Sequence, residues 1–197
     1  MGKKQNRVHY YLDDSGIKTL SEEEIQAILR AADDLITVGG RNALAKVLKG
    51  SRDKKILVHN LDKNPAYGFY RDLTIIEITH RIDWVIKQDY LRLEYFGRLP
   101  LLVYTDKGWK IERETYAEEL MQKLTKCVKE KDYTFVAELK DRNREVILLL
   151  LQKIKKANNA RFIPLLKAWQ EIEYKKVQSA IQEVISYLAK EGRIYYS

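Results

Sequence analysis

Two groups of side chains in this sequence have the types and spacing to do recognition chemistry. The first is Tyr95, Phe96 and Arg98 around Gly97, which gathers two aromatic faces and a guanidinium within four residues. An aromatic ring presented this way can stack on a nucleobase, worth ~1–3 kcal/mol per base, and an arginine fork can pair with a phosphate. Strand alternation turns one of the two neighbouring aromatics inward. The second group is Arg41, Ser51, Arg52, Lys54, Lys55 and Arg71, which cluster ahead of a long amphipathic segment. Ammonium groups, bidentate guanidinia and a small hydroxyl suit phosphate oxygens. A solvated polar loop with one small strand at residues 56–58 explains the same 50–66 stretch equally well. On the amphipathic segment itself, Thr74 and Arg81 could read base edges. Glu77 and Trp84 share their face, and the glutamate would repel phosphates in a groove.

Catalytic patterns are missing. There is no Gly-x-x-x-x-Gly-Lys-Ser/Thr phosphate loop, His9, His59 and His80 stand far apart, and Cys127 is the single cysteine. Neither a metal-ligand set nor a nucleophile–base pair has sequence support, so the expectation is a non-enzyme without cofactor or metal. Cys127 reads as a small core hydrophobe that fits a reducing cytoplasm. His80 reads as a surface or half-buried side chain.

The 197 residues have room for one good domain or two small ones, and 45% hydrophobic with 32% charged residues describe a soluble globular chain. No apolar run approaches the ~20 residues of a membrane span, and polar residues follow Lys3 and Lys4 where a signal peptide would be apolar. Asn6 breaks the myristoylation motif that Met1-Gly2 opens. No membrane partner and a cytoplasmic location are expected. The net charge of +8 favours an anionic partner. Residues 115–197 carry 16 basic against 11 acidic residues, and residues 1–114 carry 20 against 17. The C-terminal part is therefore the more basic, and could share in binding DNA.

The elements that must position these residues are legible. Residues 72–88 repeat Ile75, Ile78, Ile82, Val85 and Ile86 at steps of three and four, which predicts a helix with Asp72 as its N-cap. Two aromatic and aliphatic runs come next, residues 90–96 and 99–104, around Gly97-Arg98; they predict a β-hairpin whose second strand is an edge at Pro100. A helix feeding a two-stranded hairpin is the minimal signature of a winged helix. Upstream, Ser21 and Glu24 form a capping box, flanked by Leu20 and Ile25 as a hydrophobic staple, and open a helix to about Thr37. Gly39-Gly40 ends it, and a short helix covers residues 41–49. The aromatic run Val8-His9-Tyr10-Tyr11-Leu12 predicts an arm or edge strand packed on the adjoining domain.

The stretch Gly97-Arg98-Leu99-Pro100-Leu101-Leu102-Val103-Tyr104-Thr105-Asp106-Lys107-Gly108 resembles the GxxPxLxLTxxG end of the RQC domain, the winged helix C-terminal to RecQ helicase motors. Residues 40–51, ending Val47-Leu48-Lys49-Gly50-Ser51, are similar to that domain's G…l…vLrGs helix, and Tyr67-Gly68 with Asp72-Leu73 to its approach to the third helix. The resemblance covers about residues 20–112. It implies a winged helix-turn-helix whose Gly-Ser segment faces DNA, and a wing with the main role at duplex ends. The motor's phosphate loop and the zinc cysteines that usually precede the domain are absent from this sequence.

Beyond Gly108 the pattern is helical: residues 113–131, then two pairs, 135–139 with 143–157 and 161–170 with 174–191. Val146, Leu150 and Ile154 map onto Val177, Ile181 and Ile185 at an offset of 31 residues. Phe162-Ile163-Pro164-Leu165-Leu166 is similar to the first helix of a HEAT repeat; a plain antiparallel bundle explains the same pattern. The expected fold is mainly α with a small β-hairpin: an arm (1–19), an RQC-like winged helix-turn-helix (20–112) and a C-terminal α-helical, HEAT-like or bundle domain (113–197). The expected function is structure-directed, non-catalytic binding of duplex, forked or junction DNA in replication, repair or recombination. Two alternatives stay open: an adaptor that binds protein through its helices, and a regulator that reads a specific operator.

Overall fold

A computed structural model describes residues 9–194. The chain divides into two compact units, one up to residue 112 and the other from residue 113 onward. In the first, helix α1 (Glu22–Ala32) starts at the expected capping box. The Glu24 N–H donates to the Ser21 hydroxyl, and the Glu24 carboxylate accepts from the Ser21 N–H. Such a cap is worth ~1 kcal/mol, and Leu20 and Ile25 on either side are both buried. A 3-10 turn (Asp33–Leu35) follows, then α2 (Arg41–Lys49). Residues 54–58 are a short helix, α3 (Lys54–Val58), where a strand was expected. Asp53 caps it by accepting the Lys55 N–H, and a local cap of this kind needs no sheet partner.

Helix α4 (Ile75–Lys87) begins at the first residue of its apolar period, two residues later than an Asp72 cap implies. Its N-cap is Thr74, not Asp72: the Glu77 N–H donates to the Thr74 hydroxyl, and the Glu77 carboxylate accepts from the Thr74 N–H. It ends with Asp89 in the left-handed region, φ +60°, and with the Asp89 and Tyr90 N–H groups bonded to the Ile86 and Val85 carbonyls. That is a Schellman stop. Strands β1 (Leu91–Phe96) and β2 (Leu99–Tyr104) then pair antiparallel from Leu91↔Tyr104 to Phe96↔Leu99. Gly97, at φ +67°, opens the two-residue turn between them. On the far side of β2 the Leu102 carbonyl accepts from the Thr37 N–H, and the Leu102 N–H donates to Gly39. The α1–α2 connection therefore covers that edge, beyond Pro100, which has no N–H to offer.

Residues 9–19 are an arm without strand pairing; residues 1–8, including Val8 of the expected aromatic run, lie outside the described residues. The arm is held to α4 by polar contacts. The Asp13 N–H donates to Asp83 at 2.8 Å, and Lys87 pairs with Asp14 at 3.0 Å. The core beneath is one cluster of Ile28, Leu29, Leu44, Leu48, Ile78, Ile82, Leu91 and Leu102 with their neighbours.

Helix α5 (Asp106–Glu130) starts seven residues before the expected Arg113. Thr105 caps it by accepting the Gly108 N–H, and Gly108 sits inside the first turn. A Cβ there would overlap the Tyr90 carbonyl oxygen. In the second unit a 3-10 segment (Thr134–Leu139) precedes α6 (Arg144–Ala157), then come α7 (Ile163–Ile172) and α8 (Lys175–Ile194). Helix α8 packs on both α6 and α7, and the six residues of the 31-residue offset are all buried. Where a first repeat helix was expected, residues 134–139 form only the 3-10 segment. Cys127 is half-buried, and burial pushes its thiol above the ordinary range. No helix among the described residues is long and apolar enough to cross a membrane.

Gly108→Ala should cost ~3 kcal/mol, because backbone rather than a flexible side chain must give way. Gly16→Ala meets open space and only the strain of φ +73°, about 1–2 kcal/mol. Urea midpoints of the two variants check that order, and equal losses would contradict it.

Candidate nucleic-acid interface

The basic cluster is built on a crossing of two glycines. Gly50 ends α2 and Gly68 lies in the turns before α4, both at φ +74°. A Cβ on Gly50 would lie 3.1 Å from the Gly68 Cα, so a side chain there would press the two segments apart, and the positive φ at both positions favours glycine. The Gly68 and Tyr70 N–H groups donate to the Val47 and Leu48 carbonyls, and the Tyr67 hydroxyl donates to the Ser51 carbonyl at 3.1 Å. This brings Gly50-Ser51 beside Tyr67-Gly68, two segments separated in sequence. The Arg71 side chain folds back toward Gly68, its Nε 3.4 Å from that carbonyl. Arg52, Lys54, Lys55 and Arg71 are exposed, and Ser51 is half-buried with its hydroxyl accepting the Asp53 N–H. Lys46 pairs with Asp53 at 2.6 Å and, with the Lys55 N–H, holds that carboxyl below the usual range.

Arg41, expected at a phosphate, is engaged inside the fold. Its guanidinium meets the Asp83 carboxylate at 2.6 Å and also donates to the Tyr11 carbonyl. Asp83 is 1% exposed, so Arg41 neutralises a buried charge and ties α2, α4 and the arm together.

The polar face of α4 is similarly engaged. Thr74 and Glu77 are occupied in the capping box. Arg81 reaches Glu24 on α1 at 3.4 Å, lies 5.5 Å from the Tyr70 ring centroid, and donates to its own helix at Glu77. Burial opposes ionisation of Glu24. Hydrogen bonds from Ser21 and Tyr70 and the charge of Arg81 outweigh it, so its pKa lies below the ordinary value. Burial first, then Glu24, raises the Tyr70 hydroxyl far above its usual range. Trp84 is buried and stacks on Tyr90, centroids 6.3 Å apart. Thr74 and Arg81 are thus both engaged within the fold. His80 is half-buried, 3.6 Å from Asp13.

The hairpin separates its two aromatics. Tyr95 faces the arm, its ring 6.1 Å from that of Tyr10. Phe96 points the other way, 53% exposed, and Leu99 opposite it is 59% exposed. Directly paired residues share a face of the hairpin, so Phe96 and Leu99 form one apolar edge beside the exposed Arg98. Sequence reading passed over Leu99. The signal was available, because a two-residue turn at Gly97-Arg98 puts Leu99 opposite Phe96.

Three helices, a covering segment and a hairpin following the third long helix define a winged-helix protein. The RQC domain family model matches residues 21–131, more than half of the chain. The chain belongs to the RQC domain family, and membership implies nucleic-acid binding in general. A stretch of 69 residues is 32% identical to the ATP-dependent DNA helicase RecQ of Bacillus subtilis (strain 168), covering 35% of this chain and 12% of that relative. The chain thus matches only a small part of the helicase's length. No solved structure matches it.

Arg41→Ala should destabilise the chain by ~3 kcal/mol, since it leaves the Asp83 charge buried and alone. Its DNA affinity, measured where the variant is still folded, should match that of the unaltered chain. A selective loss of affinity with unchanged stability would return Arg41 to the interface.

Proposed function

We propose that this chain is a non-catalytic, structure-directed DNA-binding protein that reads duplex ends, forks or junctions with its wing. The observation that carries this reading is the apolar tip of Phe96 and Leu99 beside Arg98, set against a third helix whose polar face is occupied internally. A helix inserted into the major groove needs unengaged donors along its exposed side. On α4, Ile76 is 68% exposed and Glu77 and Arg81 are engaged, which suits shallow contact. An apolar hairpin tip gains little from the charged backbone of a closed duplex. It gains by stacking where a terminal base pair is accessible. Arg52, Lys54, Lys55 and Arg71 supply sequence-independent phosphate contacts that hold the duplex. A role in replication, repair or recombination would follow from a preference for such DNA structures.

Each phosphate neutralised on B-DNA adds ~0.9 to the negative slope of log affinity against log salt. Changing Lys54 and Lys55 together to Ala should flatten that slope by about two units, equally for unrelated sequences. An unchanged slope would take α3 out of the interface.

Phe96→Ala should weaken binding to a fork or blunt end roughly ten- to a hundredfold, the equivalent of one lost stacking contact. Affinity for the same sequence closed by hairpin caps should change much less. Arg98→Ala should weaken both substrates by a similar factor, because a phosphate contact does not distinguish an end from a middle. A fork-to-capped ratio unaffected by Phe96→Ala would sink the wing mechanism.

A further inference from the structure

In the second unit, the turn at residues 139–142 and the first turns of α6 and α8 enclose a groove of about 400 Å³. Its deep wall is aliphatic: Leu139, Ile147 and Val177 all line it and all are buried. Its rim is basic, with Arg144, Lys175 and Lys176 exposed at the mouth. None of these three has an ion pair among the described residues.

We propose that this groove takes a short acidic peptide of a partner protein, with a bulky apolar side chain flanked by aspartates or glutamates. The charge balance of the mouth selects an anionic occupant. The two carboxylates that line it are engaged: Asp141 accepts the Tyr174 hydroxyl at 2.8 Å, and Glu173 accepts the Trp169 indole N–H at 2.9 Å. Those bonds come from neutral donors and leave both carboxylates charged, but Arg142, Arg144, Lys175 and Lys176 outnumber them four to two, so the lining is net positive toward an incoming chain. The aliphatic wall then separates a peptide from a nucleic acid. A nucleobase would carry ring nitrogens and carbonyls into a wall of leucine, isoleucine and valine, and buried polar groups without partners are costly. An apolar side chain loses nothing there, and the volume suits one or two of them. Tyr174, 59% exposed, stands at the mouth with its hydroxyl donating to Asp141 and Lys140 5.4 Å from its ring centroid.

The test uses the full chain and a fluorescein-labelled nonapeptide with three aspartates on either side of a Leu-Phe-Leu centre. Fluorescence anisotropy at low salt should show micromolar binding, weakened about tenfold or more by the double change Lys175→Glu and Lys176→Glu. Replacing the peptide's centre by three serines should weaken it about as much, which reads the apolar wall without altering the protein. A twelve-nucleotide oligothymidylate should bind the double variant and the unaltered chain with similar relative affinity to other DNA. Circular dichroism checks that the variant is folded, and Arg144→Glu replaces it if not. Binding of the serine peptide as tight as the original would overturn the proposal, as would indifference to charge reversal. An oligothymidylate loss exceeding the peptide loss would reassign the groove to nucleic acid.

Discussion

The winged unit depends on the close approach of α5 to the backbone of Tyr90. At that point the third helix ends, the hairpin begins, and the chain returns after β2 to start its longest helix. The Thr105 hydroxyl donates to the Asp89 carbonyl at 2.6 Å, and the Thr105 N–H donates to Tyr90 at 3.3 Å. Lys107 donates to the Gln88 carbonyl and lies 3.8 Å from the Tyr90 ring centroid, while Trp84 stacks on that ring from α4. Gly108 closes the junction by having no side chain to hold the strands apart. The base of the wing is fixed there, and its tip is free to present Phe96, Leu99 and Arg98. Loss of that packing would leave a two-stranded hairpin, which is marginal in water by itself.

A second constraint decides how the third helix can be used. Buried Asp83 needs a counter-charge, and it takes the Arg41 guanidinium and the backbone N–H of Asp13. Glu24 on α1 accepts from Tyr70 and pairs with Arg81. Acidic groups thus draw Arg41 of α2 and Arg81 of α4 inward, while Arg52, Lys54, Lys55 and Arg71 stay exposed on the segments that flank the Gly50–Gly68 crossing. Exposed basic charge and the apolar wing tip therefore come from different parts of the fold.

Much of the candidate site was legible. The exposed basic run at 52–55 and the hairpin tip at Gly97 between aromatics could both be read along the chain. The motifs at 40–51, 67–73 and 97–108 named the fold without any geometry. The Arg41–Asp83 pair was hidden because a sequence shows that a cation is present but not which carboxylate lies buried 42 positions away. The Arg81–Glu24 pair was hidden for the same reason, the two residues lying 57 positions apart. The N-cap of α4 was placed two residues early because Asp72 and Thr74 are both capping types. The Thr74–Glu77 spacing, a capping box, was the better signal.

The sequence by itself determined α1, α2, α4, the hairpin and the later long helices, because periodicity, capping boxes and turn glycines act over a few residues. It determined the family too, since the glycines and the proline of its motifs mark backbone constraints that few folds share. Tertiary structure alone decided which charges face solvent, which of Tyr95 and Phe96 points outward, and why a helix begins across Gly108. A glycine within a helix costs ~1 kcal/mol against alanine, so local propensity argued for a later start. The Tyr90 carbonyl, which fills the space where a Cβ would be, reverses that preference, and a contact between distant segments is invisible to any local rule.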